Sequence, residues 1–365
     1  MKSPASNAEW QVIERLLPSG WQEQARHLRA FRRVRYTQNP TDVLRLLLLH
    51  AVNEGGLRDT VTRARLAGVP SMSMVGLFKR MQTAGPWLRW IAAGLCQEMR
   101  EQVRVPQGMR PRAIDSTTIQ GPGSKGTEWR LHYTLDLRTL VCDWHELTTA
   151  HGSELLERAP IERGDVLLAD RNFLRPAGVR SVRQSGGHVL VRLRWCHPAL
   201  QDAQGRRLYA LDLASQLSAV ETGSWPVRLC DPPGEPLEGR LVALKLPAPV
   251  AQKAEEKMRK RALKKSKVID ERSLKATHYV LLFTTLSTEQ LAVNDVLDLY
   301  RFRWQIELAF KRLKQILRLG QLPHKDPAAA QSWILAKLVV ALLLETLYRN
   351  ALTLSPWGYR LESVT

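Results

Sequence analysis

Hydrophobic positions divide the chain into two parts that have different periodicities. In the first part they recur every three to four residues, which is typical of helices that bury one face. These segments are 10–17, 43–52, 60–66 and 75–81. The pattern predicts a separate helical domain that occupies residues 1–104.

From Arg110 onward the apolar runs become short and alternate with polar residues, which is typical of strands. The predicted strands are 113–119, 130–136, 141–148, 166–169 and 188–194, with helices near 154–158 and at 177–184. Strands that alternate with helices indicate an α/β sheet, which we expect in residues 105–194. Two further helices, at 289–318 and 334–350, are predicted within residues 287–350, before a tail at 351–365.

The net charge of the chain indicates what kind of partner it binds. The net charge of +19 indicates a polyanion, and nucleic acid is the first candidate. A membrane surface is the alternative, but the longest apolar run, 334–347, contains Lys337 and Glu345 and predicts a buried helix. The first ten residues lack the apolar stretch of a signal peptide, so we expect a cytoplasmic protein.

Residues 195–286 are rich in turns and predict an inserted β-rich subdomain, with alternating segments at 207–213, 227–229, 240–246 and 279–284. Within it, residues 253–275 carry ten Lys and Arg against four Asp and Glu. This composition fits a solvated, partly helical arm as well as it fits an arm that contacts DNA.

Four cysteines, at positions 96, 142, 196 and 230, are far apart in sequence and include no Cys-x-x-Cys pair. This spacing supports neither a structural zinc site nor a disulfide framework, and it predicts reduced, buried thiols. Any metal is then expected on oxygen ligands, which favours a hard cation such as Mg²⁺ or Mn²⁺.

Residues 57–83 have the pattern of a helix-turn-helix. Helix 57–66 is followed by Ala-Gly-Val-Pro and by Ser71 and Ser73, whose hydroxyls can cap a second helix that runs to about Thr83. That helix would present Lys79 and Arg80 to DNA, and an upstream basic cluster could lie against phosphates. The cluster consists of Arg26, Arg29, Arg32, Arg33 and Arg35. The alternative is a plain helical hairpin with a glycine turn.

A second polar pattern lies in the helix predicted over 289–318. On one helix, Tyr300, Arg303, Glu307 and Lys314 fall within an arc of about 60°. A separate apolar stripe of Ile306, Phe310, Leu313 and Leu317 would face the core. A carboxylate among a phenol and two cations suits a metal site whose neighbours grip phosphates. The alternative is a surface helix with an Arg303–Glu307 ion pair.

Two aspartates upstream favour the metal site. Asp115 lies in a predicted strand before Ser-Thr-Thr, and Asp170 ends the strand 166–169. Strand ends are where α/β sheets build their sites. Four other acidic residues near these strands are expected in turns or facing solvent, and they are weaker candidates: Asp136, Asp143, Glu146 and Asp165.

The spacing Tyr-x2-Arg-x3-Glu-x6-Lys, matched by Tyr300, Arg303, Glu307 and Lys314, resembles the signature of the insertion-sequence-four family of bacterial DDE transposases. Ile-Asp115-Ser-Thr-Thr and Leu-Leu-Ala-Asp170-Arg-Asn-Phe resemble the first and second catalytic aspartates of that family. The resemblance covers residues 10–350 and implies an RNase H-like fold with a mixed five-stranded sheet.

The resemblance also implies the chemistry. Asp115, Asp170 and Glu307 would be the catalytic residues and hold two Mg²⁺ ions, with Mn²⁺ as a substitute, and Asp115 would bridge the two. Tyr300, Arg303 and Lys314 would contact phosphates near the cut. Relatives pass through a DNA hairpin, for which a flipped base needs an aromatic surface. Trp195 and Trp225 are in the right region, but with 11 tryptophans in the chain each is more often a core residue.

The resemblance implies partners as well. They are double-stranded DNA, as transposon ends and target, and a second copy of the chain in a homodimer on DNA. A C-terminal segment that supports dimerisation is expected to be short or missing. Two alternatives remain open: a silent or truncated relative that binds the ends as a regulator, and an RNase H-like nuclease outside transposition. The nuclease would have no reason to carry the spacing around Glu307.

Overall fold

The structure is a computed structural model that describes residues 10–31, 39–53, 55–69, 72–101, 108–120, 127–138, 141–230, 234–266, 268–315 and 322–352. Some predictions fall outside these residues. They concern Arg32, Arg33, Arg35, Ser71, Leu317 and the tail beyond Leu352.

The described residues up to Glu101 are mainly helical, as their periodicity predicts. Four helices follow residues 10–14, which are also helical: α1 (Trp21–His27), α2 (Pro40–Val52), α3 (Leu57–Leu66) and α4 (Met74–Glu101). Asn39 caps α2 by accepting from the backbone N–H of Asp42 at 2.9 Å, and Pro40 occupies the first turn. Ser73 caps α4 in the same way, accepting from Gly76 N–H at 3.0 Å.

The second helix of the predicted helix-turn-helix is longer than its sequence suggests. Helix α4 continues past Thr83 and through Pro86 to Glu101. A proline inside a helix removes one backbone hydrogen bond, but burial of Trp87, Leu88 and Ile91 stabilises the continuation. The predicted second helix is therefore the first part of a long core helix, α4, which α3 contacts.

The ten described strands form a single mixed sheet in the order β3-β2-β1-β4-β5-β10-β9-β8-β6-β7. Strands β1, β4 and β5 are parallel, and every other neighbouring pair is antiparallel. The strands are β1 (Arg110–Gln120), β2 (Thr127–Asp136), β3 (Val141–Thr149), β4 (Asp165–Ala169), β5 (His188–Arg192), β6 (Leu200–Gln201), β7 (Arg207–Leu208), β8 (Thr222–Leu229), β9 (Leu237–Lys245) and β10 (Tyr279–Thr284).

The sheet therefore has ten described strands, where the resemblance implies five. Residues 195–286 do not form a separate β layer, because Leu282 to Thr284 of β10 pair with β5 and prolong the same sheet. The segment also contains helices α6 (Ala210–Ala214), α7 (Ala248–Leu263) and α8 (Glu271–Ala276), after α5 (Pro176–Gln184) in the preceding part. The predicted strand 207–213 is β7 followed by α6.

The sheet is covered on both faces because its strands alternate. Ala113 packs in a core with the N-terminal helices, whereas Ile114, the next residue, packs in the core on the opposite face. Leu168 and Ala169 of β4 divide between the faces in the same way. The register sets Ala113 beside Leu168, so these two residues define one face, called face A below.

The C-terminal part contains two helices where the sequence predicts one. Residues 289–318 form α9 (Val293–Arg301) and α10 (Trp304–Gln315), with a turn at Phe302 and Arg303. The last described helix is α11 (Pro327–Leu352). Residues 327–347 are long and apolar enough to cross a membrane, but 72% of the most apolar window is buried within the protein.

Helix α11 joins the two parts of the chain. It packs along α4 and α2, and one hydrophobic core contains Trp87 of α4, Leu338 of α11 and Leu131 of the sheet. The boundary predicted near residue 104 therefore does not separate two hydrophobic cores.

A buried ionic network lies beneath the strands that carry the aspartates. Arg112 is fully buried and donates to Asp143 at 2.6 Å and to Asp165 at 2.8 Å. Arg110 donates to both oxygens of Asp165, at 2.6 and 2.8 Å. The expectation that Asp143 faces solvent is wrong, because buried guanidinium groups need buried anions. Asp165, expected in a turn, is the buried first residue of β4.

The other two acidic residues in this group are also bound to arginine. Asp136 is buried and pairs with Arg138 at 2.8 Å, so the expectation that it faces solvent is wrong. Glu146 is half-buried and pairs with Arg158 at 2.7 Å.

Candidate active site

Asp115 and Asp170 are brought together by strand register. Strands β1 and β4 are parallel, and Ile114 lies beside Ala169. The next residue on each strand is an aspartate, so Asp115 and Asp170 are neighbours across the sheet. The preceding residues, Ile114 and Ala169, pack in the core of the opposite face. Because side chains alternate between the two faces, those of Asp115 and Asp170 are directed to face A. The sequence could predict this pairing only if the register of the two strands were known.

The turn between α9 and α10 brings the other predicted residues to the same place. Tyr300, in the last turn of α9, donates its hydroxyl to the carbonyl oxygen of Ala169 at 3.2 Å, next to Asp170. Arg303, in the turn, lies 3.7 Å from Asp115 and donates to Glu307 at 2.5 Å. One arginine thus connects the sheet carboxylate to the helix carboxylate.

The geometry differs from the single helix that the spacing predicts. Arg303 precedes α10, Glu307 lies in its first turn, and Tyr300 belongs to the preceding helix. The guanidinium of Arg303 nevertheless lies over the ring of Tyr300, 5.8 Å from its centre, because the turn folds the two together. Ile306 and Phe310 are buried, as the apolar stripe predicts.

The remaining predicted contacts lie farther out. Lys314 is exposed on α10, about two turns beyond Glu307. Lys79 is exposed on α4. Arg80 is half-buried, donates to the carbonyl of Ala30 at 3.4 Å and lies over the ring of Phe31. Of these two neighbours on α4, Lys79 is therefore the more available for an external partner.

Burial and neighbouring charges perturb the central groups. Burial raises the pKa of Asp115 to about 6, and the carboxylates of Glu154 and Asp170 act in the same direction. The Ser116 N–H, which donates to Asp115 at 2.8 Å, and the Arg303 cation oppose this rise. Asp115 thus lies in a half-buried pocket of negative charge.

The pKa values of Tyr300 and Arg303, which lie beside Asp115, are also shifted, but for different reasons. Burial raises the pKa of Tyr300 to about 12, so its phenol keeps the proton that it donates to Ala169. Burial opposes the charge of Arg303, but Tyr300, Glu307 and Asp115 favour the cation and raise its pKa.

A fourth carboxylate near the site, Glu154, was not predicted as a site residue. It accepts from the Ser116 hydroxyl at 2.8 Å and from Arg130 at 2.9 Å. Glu154 and Arg130 line an open cavity of about 540 Å³, whose wall also contains Arg171, Arg175 and Arg194. Glu154 follows the last sheet strand of its hairpin by several residues, and no local spacing relates it to Ser116.

A second open cavity, of about 460 Å³, reaches the other side of Asp170. Its wall contains Trp195 and five exposed cations: Arg171, Arg192, Arg194, Lys257 and Arg261. Lys257 and Arg261 belong to α7, within the basic segment 253–275. Trp195 and Trp225 both pack against the hydrophobic core of the opposite face, but Trp225 does not line this cavity.

The three predicted ligands fit a hard divalent cation. Asp115 and Asp170 are neighbouring carboxylates, and their mutual repulsion, which adds to burial in raising the pKa of Asp115, is one that a bound cation would relieve. Glu307 is connected to Asp115 through Arg303. Oxygen-only donors are those that Mg²⁺ and Mn²⁺ prefer.

The comparisons with known proteins identify the class. The transposase DDE domain family matches residues 106–343, and the chain belongs to this family. The protein is a DNA transposase, and its relatives come from bacterial insertion sequences. It is 32% identical over 337 residues to the transposase InsL of insertion sequence element IS186A from Escherichia coli (strain K12), covering 91% of each chain.

Two further similarities extend the comparison. The chain is 33% identical to the transposase of insertion sequence element IS421 from Escherichia coli, again with 91% of each chain covered. Among solved structures, a piggyBac transposase in a synaptic complex with hairpin DNA matches with a TM-score of 0.47 and 10% identity. The match covers 97% of this chain and 75% of that one.

Proposed function

We propose that this transposase cuts DNA at transposon ends and joins them to a target through a metal-dependent site formed by Asp115, Asp170 and Glu307. The observation that carries the proposal is the convergence of the two strand aspartates, on face A, with the Arg303–Glu307 pair. The strand order β3-β2-β1-β4-β5 within the sheet supports an RNase H-like catalytic core.

Asp115, Asp170 and Glu307 would hold two Mg²⁺ ions, or Mn²⁺ in their place. When bound, such ions activate the attacking oxygen and stabilise the leaving oxygen of a phosphodiester. The chain supplies the negative charge that retains them. Arg303 neutralises part of that charge, since it contacts Asp115 and Glu307 together.

Arg303 and Tyr300 would then serve the DNA. A guanidinium donates to phosphate oxygens in the same planar geometry that it uses for carboxylates. Tyr300 fixes the position of the cation, because its ring lies beneath Arg303 while its hydroxyl is held by Ala169. Lys314 extends the same basic face along α10 toward phosphates farther from the cut.

The cavity beside Asp170 fits an unpaired DNA end. Its five cations suit a phosphate backbone, and half-buried Trp195 offers a ring on which a flipped base can stack. Participation of Lys257 and Arg261 favours DNA contact, rather than simple solvation, for the basic segment 253–275. We assign Trp195, not Trp225, as the stacking surface of a hairpin intermediate.

The proposed partners follow from this site. Transposon ends and target DNA occupy the catalytic face, with Lys79 and Arg80 at a second, end-recognising surface on α3 and α4. Cutting two ends together calls for a homodimer on DNA. A DNA-acting enzyme of this kind would act in the cytoplasm, at the nucleoid.

The proposal is tested by cleavage of a labelled duplex that carries the terminal repeat of the element. We expect nicking at the repeat boundary with Mg²⁺, none with EDTA, and none for Glu307→Ala. Glu238→Ala, which removes an exposed carboxylate on β9, is the matched control and should cut normally. Tight end binding without cutting by the wild-type protein would instead support a regulator.

Arg303→Ala should reduce cleavage without raising the Mg²⁺ requirement. Loss of one charge-assisted hydrogen bond to phosphate, worth about 1.5–3 kcal/mol, corresponds to a roughly 10- to 100-fold slower reaction. The measurement is the cleavage rate across a Mg²⁺ titration. Arg301→Ala, which removes an exposed arginine paired with Asp298, is the control. A variant that needs far more Mg²⁺ would contradict a phosphate role.

A further inference from the structure

A group of metal-ligating side chains lies apart from the three carboxylates, where the helical part of the chain meets the sheet. It consists of Cys96 on α4 with Cys142 and His145 on β3. One ligand atom from each residue lies within 4.8 Å of the others. Both cysteines are buried, and His145 is half-buried.

A β-bulge brings Cys142 and His145 to one side of β3. Residues three apart on a regular strand point to opposite faces. Here Leu135 of β2 pairs with Cys142 and Thr134 pairs with Trp144, so Asp143 is an extra residue. The extra residue shifts the alternation of side chains by one position, so Cys142 and His145 point to the same face. Asp143 turns away to bind Arg112, while Cys142 remains in the core that contains Cys96.

The distances agree with those around a tetrahedral zinc ion. The two sulfur atoms lie 3.7 Å apart, and the sulfur of Cys96 lies 3.7 Å from Nδ1 of His145. Two thiolates about 2.3 Å from zinc in a tetrahedron are separated by about 3.8 Å, and a thiolate and an imidazole nitrogen by about 3.6 Å. A disulfide would need sulfur atoms about 2.05 Å apart.

We infer that Cys96, Cys142 and His145 form a structural zinc site that fastens helix α4 to strand β3. Two thiolates and an imidazole are soft and borderline ligands, which select zinc over the hard cations of the carboxylate site. The fourth position of the tetrahedron would be filled by water. The site would tie α4 to the sheet at one point.

A zinc ion at this site would differ from the expectation from sequence that every metal is held by oxygen. Cys96 lies 46 and 49 residues before Cys142 and His145, so no local spacing relates it to them. The expectation of buried cysteines is also wrong for Cys196, which is exposed.

Metal analysis of the purified full-length chain, reconstituted with zinc chloride under reducing conditions, tests the site. We expect about one zinc per chain, lost in Cys96→Ser and in His145→Ala. Cys196→Ser and Cys230→Ser are the matched controls and should retain it, as should Asp115→Asn with Asp170→Asn. Cobalt substitution should give the charge-transfer and ligand-field bands of a tetrahedral thiolate site.

A reversible measurement on the wild-type protein separates metal loss from misfolding of a variant. Chelation should lower the melting temperature, and added zinc should restore it, since the metal binds only the folded arrangement. Wild-type protein that takes up no zinc would overturn the inference, as would loss of two free thiols to a Cys96–Cys142 disulfide. Zinc retained in Cys96→Ser but lost in the carboxylate variant would overturn it as well.

Discussion

Asp115→Asn and Asp170→Asn are each expected to bind transposon ends normally and to cut them at least about a thousandfold more slowly. Each change replaces a charged metal ligand by a neutral amide of the same shape, and a loss of this size corresponds to about 4 kcal/mol of transition-state stabilisation. The readouts are cleavage of the labelled terminal repeat and, separately, binding of the same duplex.

The structure explains why binding should survive. Asp115 and Asp170 lie on the sheet, whereas the cations of the neighbouring cavity are contributed by other residues. Removing a negative charge from a basic face cannot weaken attraction to phosphate. Asp298→Asn, which alters an exposed carboxylate on α9, is the matched control and should cut normally. Substantial cutting by either site variant would remove that residue from the catalytic set.

The parts of the fold that were predictable are those that depend on local pattern. Short apolar segments located β1 and β4, and the same pattern is enough to set Asp115 within β1 and Asp170 directly after β4. Helical periodicity likewise located α2 and α11. These features depend on neighbours within one turn or one strand, so the sequence contains all the information that they require.

Features that depend on distant contacts could not be predicted. The break at Phe302 and Arg303 is unmarked by glycine or proline, and the contacts of Tyr300 with Ala169 and Arg303 join residues that a single straight helix would not bring together. Glu154 meets Ser116 only because a hairpin folds back on β1. Continuity of β5 with β10 joins residues about ninety positions apart, and nothing in either strand specifies its partner.

The same limit explains the misplacement of Asp143. An acidic residue in a hairpin is usually solvated, since isolated burial of a carboxylate is costly. Its partner Arg112 is separated from it by 31 residues and is itself fully buried. The two charges make each other's burial favourable, and neither alone indicates it.

The mutual dependence of these buried charges predicts a large loss of stability when one of them is removed. Asp165→Ala is expected to lower the free energy of unfolding by about 3–5 kcal/mol, because it leaves Arg110 and Arg112 buried without their shared anion. Urea unfolding at pH 7 measures the loss. Asp298→Ala removes an exposed carboxylate and should change the unfolding midpoint little. An equally small change for Asp165→Ala would mean that water reaches the network.

Acidification should reduce the difference in the free energy of unfolding between Asp165→Ala and the wild-type protein. Burial would raise the pKa of Asp165, but hydrogen bonds from Arg110 and the charge of Arg112 outweigh it and hold the pKa below its usual value. The ionised carboxylate therefore stabilises the fold fully above the unfolded-state pKa of about 3.9. Its contribution is lost as the pH falls through the lower, folded-state pKa. Unfolding curves that keep the same separation at every pH would assign the effect to lost packing instead of lost charge.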